Sequence, residues 1–99
     1  MSNGKLIRDR IPEIIREAGG DPRTRTLDDE AFREALCAKL TEETSEFLEA
    51  RTAEELADVL EIVYALAEQA GLTPDALEAI RLEKREARGG FDRRLFLEA

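Results

Sequence analysis

From Phe32 to Ala67 apolar residues recur at helical spacing, broken only around Arg51 and Thr52, and acids stand where that pattern calls for apolar side chains. At 100° per residue, Phe32, Leu36, Leu40, Phe47 and Ala50 form one stripe of a long helix. Glu43 falls in the centre of that stripe and Glu46 on its flank, with Lys39 beside them, whereas Glu34 and Glu49 point away. On the next helix Glu55 and Asp58 repeat the i, i+3 spacing, which sets both carboxylates on one face. Antiparallel packing of the two helices through the short connection brings four carboxylates to one point inside a helical domain. Ionised carboxylates buried without a partner cost more than a small fold can supply, so the arrangement requires a cation. Oxygen-only ligands suit a hard divalent ion, Mg²⁺ first, with Mn²⁺ able to stand in.

The rest of the chain is expected to be helical as well. Pro12 fits the first turn of a short helix running to about Ala18, which Gly19-Gly20 stops. Before it, Lys5 to Arg10 reads as an extended or irregular arm. Asp28-Asp29-Glu30 opens the long helix with charge that complements the helix dipole, and that helix runs to about Ala50. Thr52 with Glu55 matches a capping box, followed by Leu56, Val59, Leu60, Ile62, Val63, Leu66 and Ala67. Gly71 ends this third helix. Thr73-Pro74-Asp75 opens a fourth, with Leu77 and Ile80 expected to face inward and Lys84, Arg85 and Arg88 in its last turns. Gly89-Gly90 stops it, and Phe91 to Leu97 forms a mixed basic and apolar tail. The fold class is therefore all-α: a compact bundle of about four helices with an N-terminal arm and a short C-terminal tail, one domain over residues 1–99.

Composition excludes several chemistries. No histidine exists and Cys37 is the lone cysteine, which removes His- and Cys-rich zinc sites, Ser-His-Asp and Cys-His nucleophile systems, and any disulfide within the chain. A reducing cytoplasm is the expected compartment. The start, Met1 to Lys5, lacks the apolar stretch of a signal peptide, and no segment approaches the roughly 20 apolar residues of a membrane span. Residues 28–78 carry fifteen acids against three bases, and the remainder twelve bases against eight acids. A net charge of −8 argues against nucleic acid as a partner, while an acidic centre between basic ends suits a metal site whose ligand is itself a polyanion. The broad apolar arc of the 53–70 helix, in so short a domain, points to a homodimer or higher homo-oligomer.

Each acid also has a plainer reading. Glu55 serves as the N3 partner of Thr52, Asp58 as a solvated edge residue, and Glu46 and Glu42 as surface partners of Lys39 or Arg51. Glu43 resists this treatment, because the middle of an apolar stripe is where Leu or Ala belongs. On the plainer reading the chain is a non-catalytic helical module that dimerises or binds a partner through residues 56–67.

The pattern Glu42-Glu43-x-x-Glu46, followed by Glu55-x-x-Asp58, resembles the EExxE…ExxD metal site of the MazG-like all-α nucleoside triphosphate pyrophosphatase superfamily. The likeness covers nearly the whole chain. The flanks, Lys5-Leu6-Ile7-Arg8-Asp9-Arg10-Ile11-Pro12 and Lys84-Arg85-Glu86-Ala87-Arg88-Gly89-Gly90-Phe91, resemble a small house-cleaning branch. The resemblance implies Mg²⁺-dependent hydrolysis of a nucleoside triphosphate, non-canonical ones foremost, to the monophosphate and pyrophosphate. In that frame Glu43, Glu46, Glu55 and Asp58 hold metal, and Glu42 is an outer-shell or water-orienting base beside Glu43. Arg8, Lys39, Lys84 and Arg88 are the candidates for phosphate, and Phe91 for stacking on a base. Phosphoribosyl-ATP pyrophosphohydrolase, of the same superfamily, is the rival enzyme.

Overall fold

Each helix starts and stops on chemistry carried by its local sequence. In the structure, a computed structural model that describes residues 4–98, the order is α1 (Ile11–Glu17), α2 (Asp29–Ala50), α3 (Ala53–Gln69) and α4 (Pro74–Arg88). The chain is all-α, with no strand among the described residues. Asp28 caps α2 by accepting from the Ala31 N–H at 2.9 Å, and Thr73 caps α4 by accepting from the Ala76 N–H at 3.1 Å. At the end of α1, Gly20 N–H reaches Ile15 O and Gly19 N–H reaches Arg16 O, with Gly19 at φ 92. At the end of α3, Leu72 N–H reaches Ala67 O and Gly71 N–H reaches Glu68 O, with Gly71 at φ 83. Both are Schellman closures that need a left-handed residue, and glycine supplies it in each. Residues Met1, Ser2 and Asn3, which carry the start of the leader reading, lie outside the described residues. No helix among the described residues is long and apolar enough to cross a membrane.

Two compact units make up the chain, Met1–Leu66 and Ala67–Ala99, and α3 runs from the first into the second. In the first unit the arm, α1, α2 and most of α3 surround a small interior. Leu36, 2% exposed, is its one buried apolar side chain among the described residues, and Phe32, Leu40, Phe47, Val59, Ile62, Val63 and Leu66 are half-buried. Leu56, Leu60 and Tyr64, at i, i+4 and i+8 on α3, stay exposed, as does Leu48 on α2. In the second unit Ala67 is buried and Leu77 half-buried. Ile80, expected to face inward, is 45% exposed: helical periodicity sets which face is apolar and not what covers it. Phe91, Leu95, Phe96 and Leu97 of the tail are exposed.

The joint between α2 and α3 positions everything that follows. Only Arg51 and Thr52 separate the helices. Arg51 takes the left-handed conformation (φ 55, ψ 40), its N–H donating to Phe47 O at 2.7 Å, and Thr52 Oγ1 accepts from the Glu55 N–H at 3.3 Å. Glycine usually occupies such a position, since a Cβ there costs roughly 1–2 kcal/mol. The reversal brings Glu43 of α2 to Glu55 and Asp58 of α3. We expect Arg51→Gly to leave stability unchanged or raise it by up to about 1 kcal/mol, and Arg51→Val to lower it by about 1–2 kcal/mol, since a β-branched side chain tolerates this region worst. Urea unfolding checks both. A valine variant as stable as the parent would show that the joint relaxes out of the left-handed region.

Candidate metal centre

Five carboxylates gather on the facing sides of α2 and α3. Donor oxygens of Glu42, Glu43 and Glu46 lie within 4.8 Å of one another, and so do those of Glu43, Glu55 and Asp58. Glu43 belongs to both trios. It is also the one charged residue buried among those described, at 8% exposure. Glu55 and Asp58 are half-buried, while Glu46 and Glu42 open to solvent. The four acids expected from spacing are thus brought together, and Glu42, placed by periodicity just outside the inner face, joins Glu43 and Glu46.

Two cations answer these charges. Lys39 Nζ stands 3.5 Å from Glu43 Oε1 and 3.7 Å from Glu42 Oε1, with its own side chain 16% exposed. Arg8, from the N-terminal arm, donates through Nη2 to Asp58 Oδ1 at 2.7 Å. Two bases against five acids leave three negative charges unbalanced. The remaining lone pairs tell the same story: Glu43 Oε2 and Glu55 Oε2 are buried and have no hydrogen-bond partner. A buried acceptor left unmatched costs about 1–3 kcal/mol, and more when charged. The capping-box reading of Glu55 therefore holds only for its backbone N–H, since its carboxylate points inward. All-oxygen donors with orphaned lone pairs fit a hard divalent cation.

The crowding has a signature on Glu46. Its carboxyl is held above the ordinary glutamate value, chiefly because a proton it carries can be shared with Glu43, then by repulsion from Glu43, by desolvation, and by repulsion from Glu55 and Glu42. Glu78 in the second unit is the contrast: its hydrogen bonds from Arg81 hold it below the ordinary value.

Lys84, Arg88 and Phe91 belong to the second unit. Phe91 is 95% exposed, which removes the plain reading of it as a core residue, while Gly89, at φ 84 with its N–H on Arg85 O, is the helix cap that the plain reading expects. Arg85 Nη2 reaches Asp92 Oδ2 at 3.4 Å. Arg8 is the residue whose placement sequence spacing missed: fifty positions separate it from Asp58.

The raised value of Glu46 fixes a pH dependence. A group whose folded-state value is raised contributes stability that is present below its unfolded value and lost as pH rises through the folded one. Without divalent ions the chain should therefore gain stability from this group as pH falls from neutrality toward the glutamate range, and Glu46→Gln should flatten that segment of the curve. Thermal unfolding in chelator-treated buffer reads it. Superimposable pH curves for the two proteins would remove the proton-sharing account of this cluster.

An uncharacterised protein of Mycolicibacterium smegmatis (strain ATCC 700084 / mc(2)155) is 52% identical to the chain over 48 residues, which is 48% of this chain and 49% of that protein. The chain thus spans about half the length of the curated relative that it matches. No solved structure matches it significantly. The family profile of phosphoribosyl-ATP pyrophosphohydrolases matches residues 7–85, a stretch that contains the arm from Ile7, both acid trios and most of α4. With that span matched, the chain belongs to the phosphoribosyl-ATP pyrophosphohydrolase family, within the MazG-like all-α superfamily of nucleotide pyrophosphohydrolases.

Proposed function

We propose that the chain hydrolyses the α–β phosphoanhydride of a nucleoside triphosphate in a Mg²⁺-dependent reaction, releasing the monophosphate and pyrophosphate. The observation that carries this reading is the pair of buried, partnerless oxygens, Glu43 Oε2 and Glu55 Oε2, in two trios that share Glu43. Glu43, Glu46, Glu55 and Asp58 would hold one or two Mg²⁺, which neutralise phosphate charge and lower the pKa of bound water, and Mn²⁺ would stand in. Glu42, whose side chain is 42% exposed, would accept the proton of the attacking water. Water adds to phosphorus, its proton passes to a carboxylate, and the bridging oxygen leaves on the departing phosphate. Lys39 meets phosphate oxygens from inside the site, and Arg8 does so on leaving Asp58. Lys84 and Arg88 as phosphate contacts and Phe91 as a stacking ring stay expectations from the sequence, carried by the exposed surface of the second unit.

A second reading has its own support. The matching profile is that of phosphoribosyl-ATP pyrophosphohydrolases, so phosphoribosyl-ATP, which carries the same bond, is the alternative substrate. The near-absence of buried apolar side chains in the first unit supports a homodimer or larger assembly, in which a second copy covers the Leu56, Leu60 and Tyr64 face. We place the working protein in the cytoplasm.

The assay is pyrophosphate release with Mg²⁺ from common and modified nucleoside triphosphates and from phosphoribosyl-ATP. Glu43→Gln should cut release by roughly a hundredfold or more while circular dichroism stays helical, because a metal-ligating oxygen is lost and no helix contact is. Light scattering on the same sample should give a dimer or larger. Full activity in Glu43→Gln would sink the metal-site assignment, and release from phosphoribosyl-ATP alone would decide for the second reading.

A further inference from the structure

Beside the acid trios, between the N-terminal arm and α2, lies a cleft of about 320 Å³ that shares Lys39 and Glu42 with the candidate metal centre. Lys5 and Leu6 line it from the arm, and Ala35, Ala38, Lys39 and Glu42 from α2. The four α2 residues fall at i, i+3, i+4 and i+7, one continuous strip of the helix. Continued along the helix, that strip reaches Glu43 and Glu46. Its chemistry changes in a fixed order: methyl groups at Ala35 and Ala38, an ammonium at Lys39, then carboxylates. From Ala38 to Glu46 the helix rises about 12 Å.

We infer that this cleft holds the nucleoside part of the substrate, an inference that rests on the nucleotide reading of the metal centre. A nucleoside triphosphate has the same order of chemistry as the strip: an uncharged base and sugar, then phosphates, then the cations that phosphates share with carboxylates. It fits in one direction. The nucleoside lies on Ala35 and Ala38 under Leu6, the first phosphate meets Lys39, and the rest of the triphosphate runs toward Glu43 and Glu46. Lys39 serves both parts, since it lines the cleft and faces Glu43 at 3.5 Å. The two alanines matter by being small, because a branched side chain at either position fills the floor. The arm that lines the cleft also carries Arg8, whose Nη2 donates to Asp58 Oδ1. At the lower end of the size range of small-molecule sites, the cleft suits one nucleoside, and a phosphoribosyl group added to the base would lie outside it.

The test uses two probes on the full chain with Mg²⁺, by calorimetry. One is the tightest binder among the α,β-imido analogues of ATP, GTP, CTP and UTP, and the other is inorganic tripolyphosphate, which carries the phosphates without a nucleoside. Ala38→Leu places a good helix former at an exposed helical position, so the fold should persist. It should weaken the nucleotide analogue by roughly tenfold or more and leave tripolyphosphate within about twofold, and Ala35→Leu should do the same. Equal loss of both probes, or no loss of either, overturns the cleft assignment and leaves the metal-centre reading standing. Failure of the parent protein to bind either probe brings down the nucleotide reading, and the cleft assignment with it.

Discussion

Burial of the Glu43 carboxylate is the constraint on which the rest of this chain depends. A charge at the centre of an apolar stripe, with one oxygen facing Lys39 and the other buried without a hydrogen-bond partner, destabilises the fold that carries it. Replacing a buried ionic group by an apolar residue of similar volume is often neutral or stabilising, so the stability of the fold gives no reason for an acid here. Its neighbours sharpen the point. Glu55 repeats the orphaned oxygen from the opposite helix, and Glu46 is driven toward holding a proton by the acids around it. A divalent cation held by oxygen would answer all three features at once.

The backbone serves that arrangement directly. A two-residue joint with a left-handed arginine turns α3 back along α2, so that Glu43 meets Glu55 and Asp58. Lys39 and Arg8 lower the local charge without removing it, and Arg8 does so from an arm that also roofs the cleft on α2. Acid cluster, cleft and arm all lie within the first sixty-six residues.

Much of this was legible in the sequence. Thr52, Thr73 and Asp28 are caps with local signatures, Gly19 and Gly71 end helices where left-handed residues are needed, and i, i+3 spacing alone puts Glu43 with Glu46 and Glu55 with Asp58. Legibility ended where the determinant was not local. Arg8 finds Asp58 across fifty positions, which no periodicity reveals, and Glu42 joins the inner acids because a trio needs only one reachable oxygen, not a side chain centred on the face. Ile80 follows its helix's amphipathic pattern and is nevertheless exposed, since pattern states which face is apolar and not what covers it. Phe91 is the same case at the end of a helix, and the family match, which ends at residue 85, does not reach it.

The central question is whether the buried acids exist for a metal. The direct measurement is the unfolding free energy of the parent chain and of Glu43→Gln, each in chelator and in saturating Mg²⁺. In chelator the variant should be at least as stable as the parent, because a costly buried charge is gone. In saturating Mg²⁺ the order should reverse, since only the parent gains the full binding free energy, about 2.7 kcal/mol when free metal is a hundred times its dissociation constant. The same ranking in both buffers would contradict the claim that these carboxylates are built around a cation.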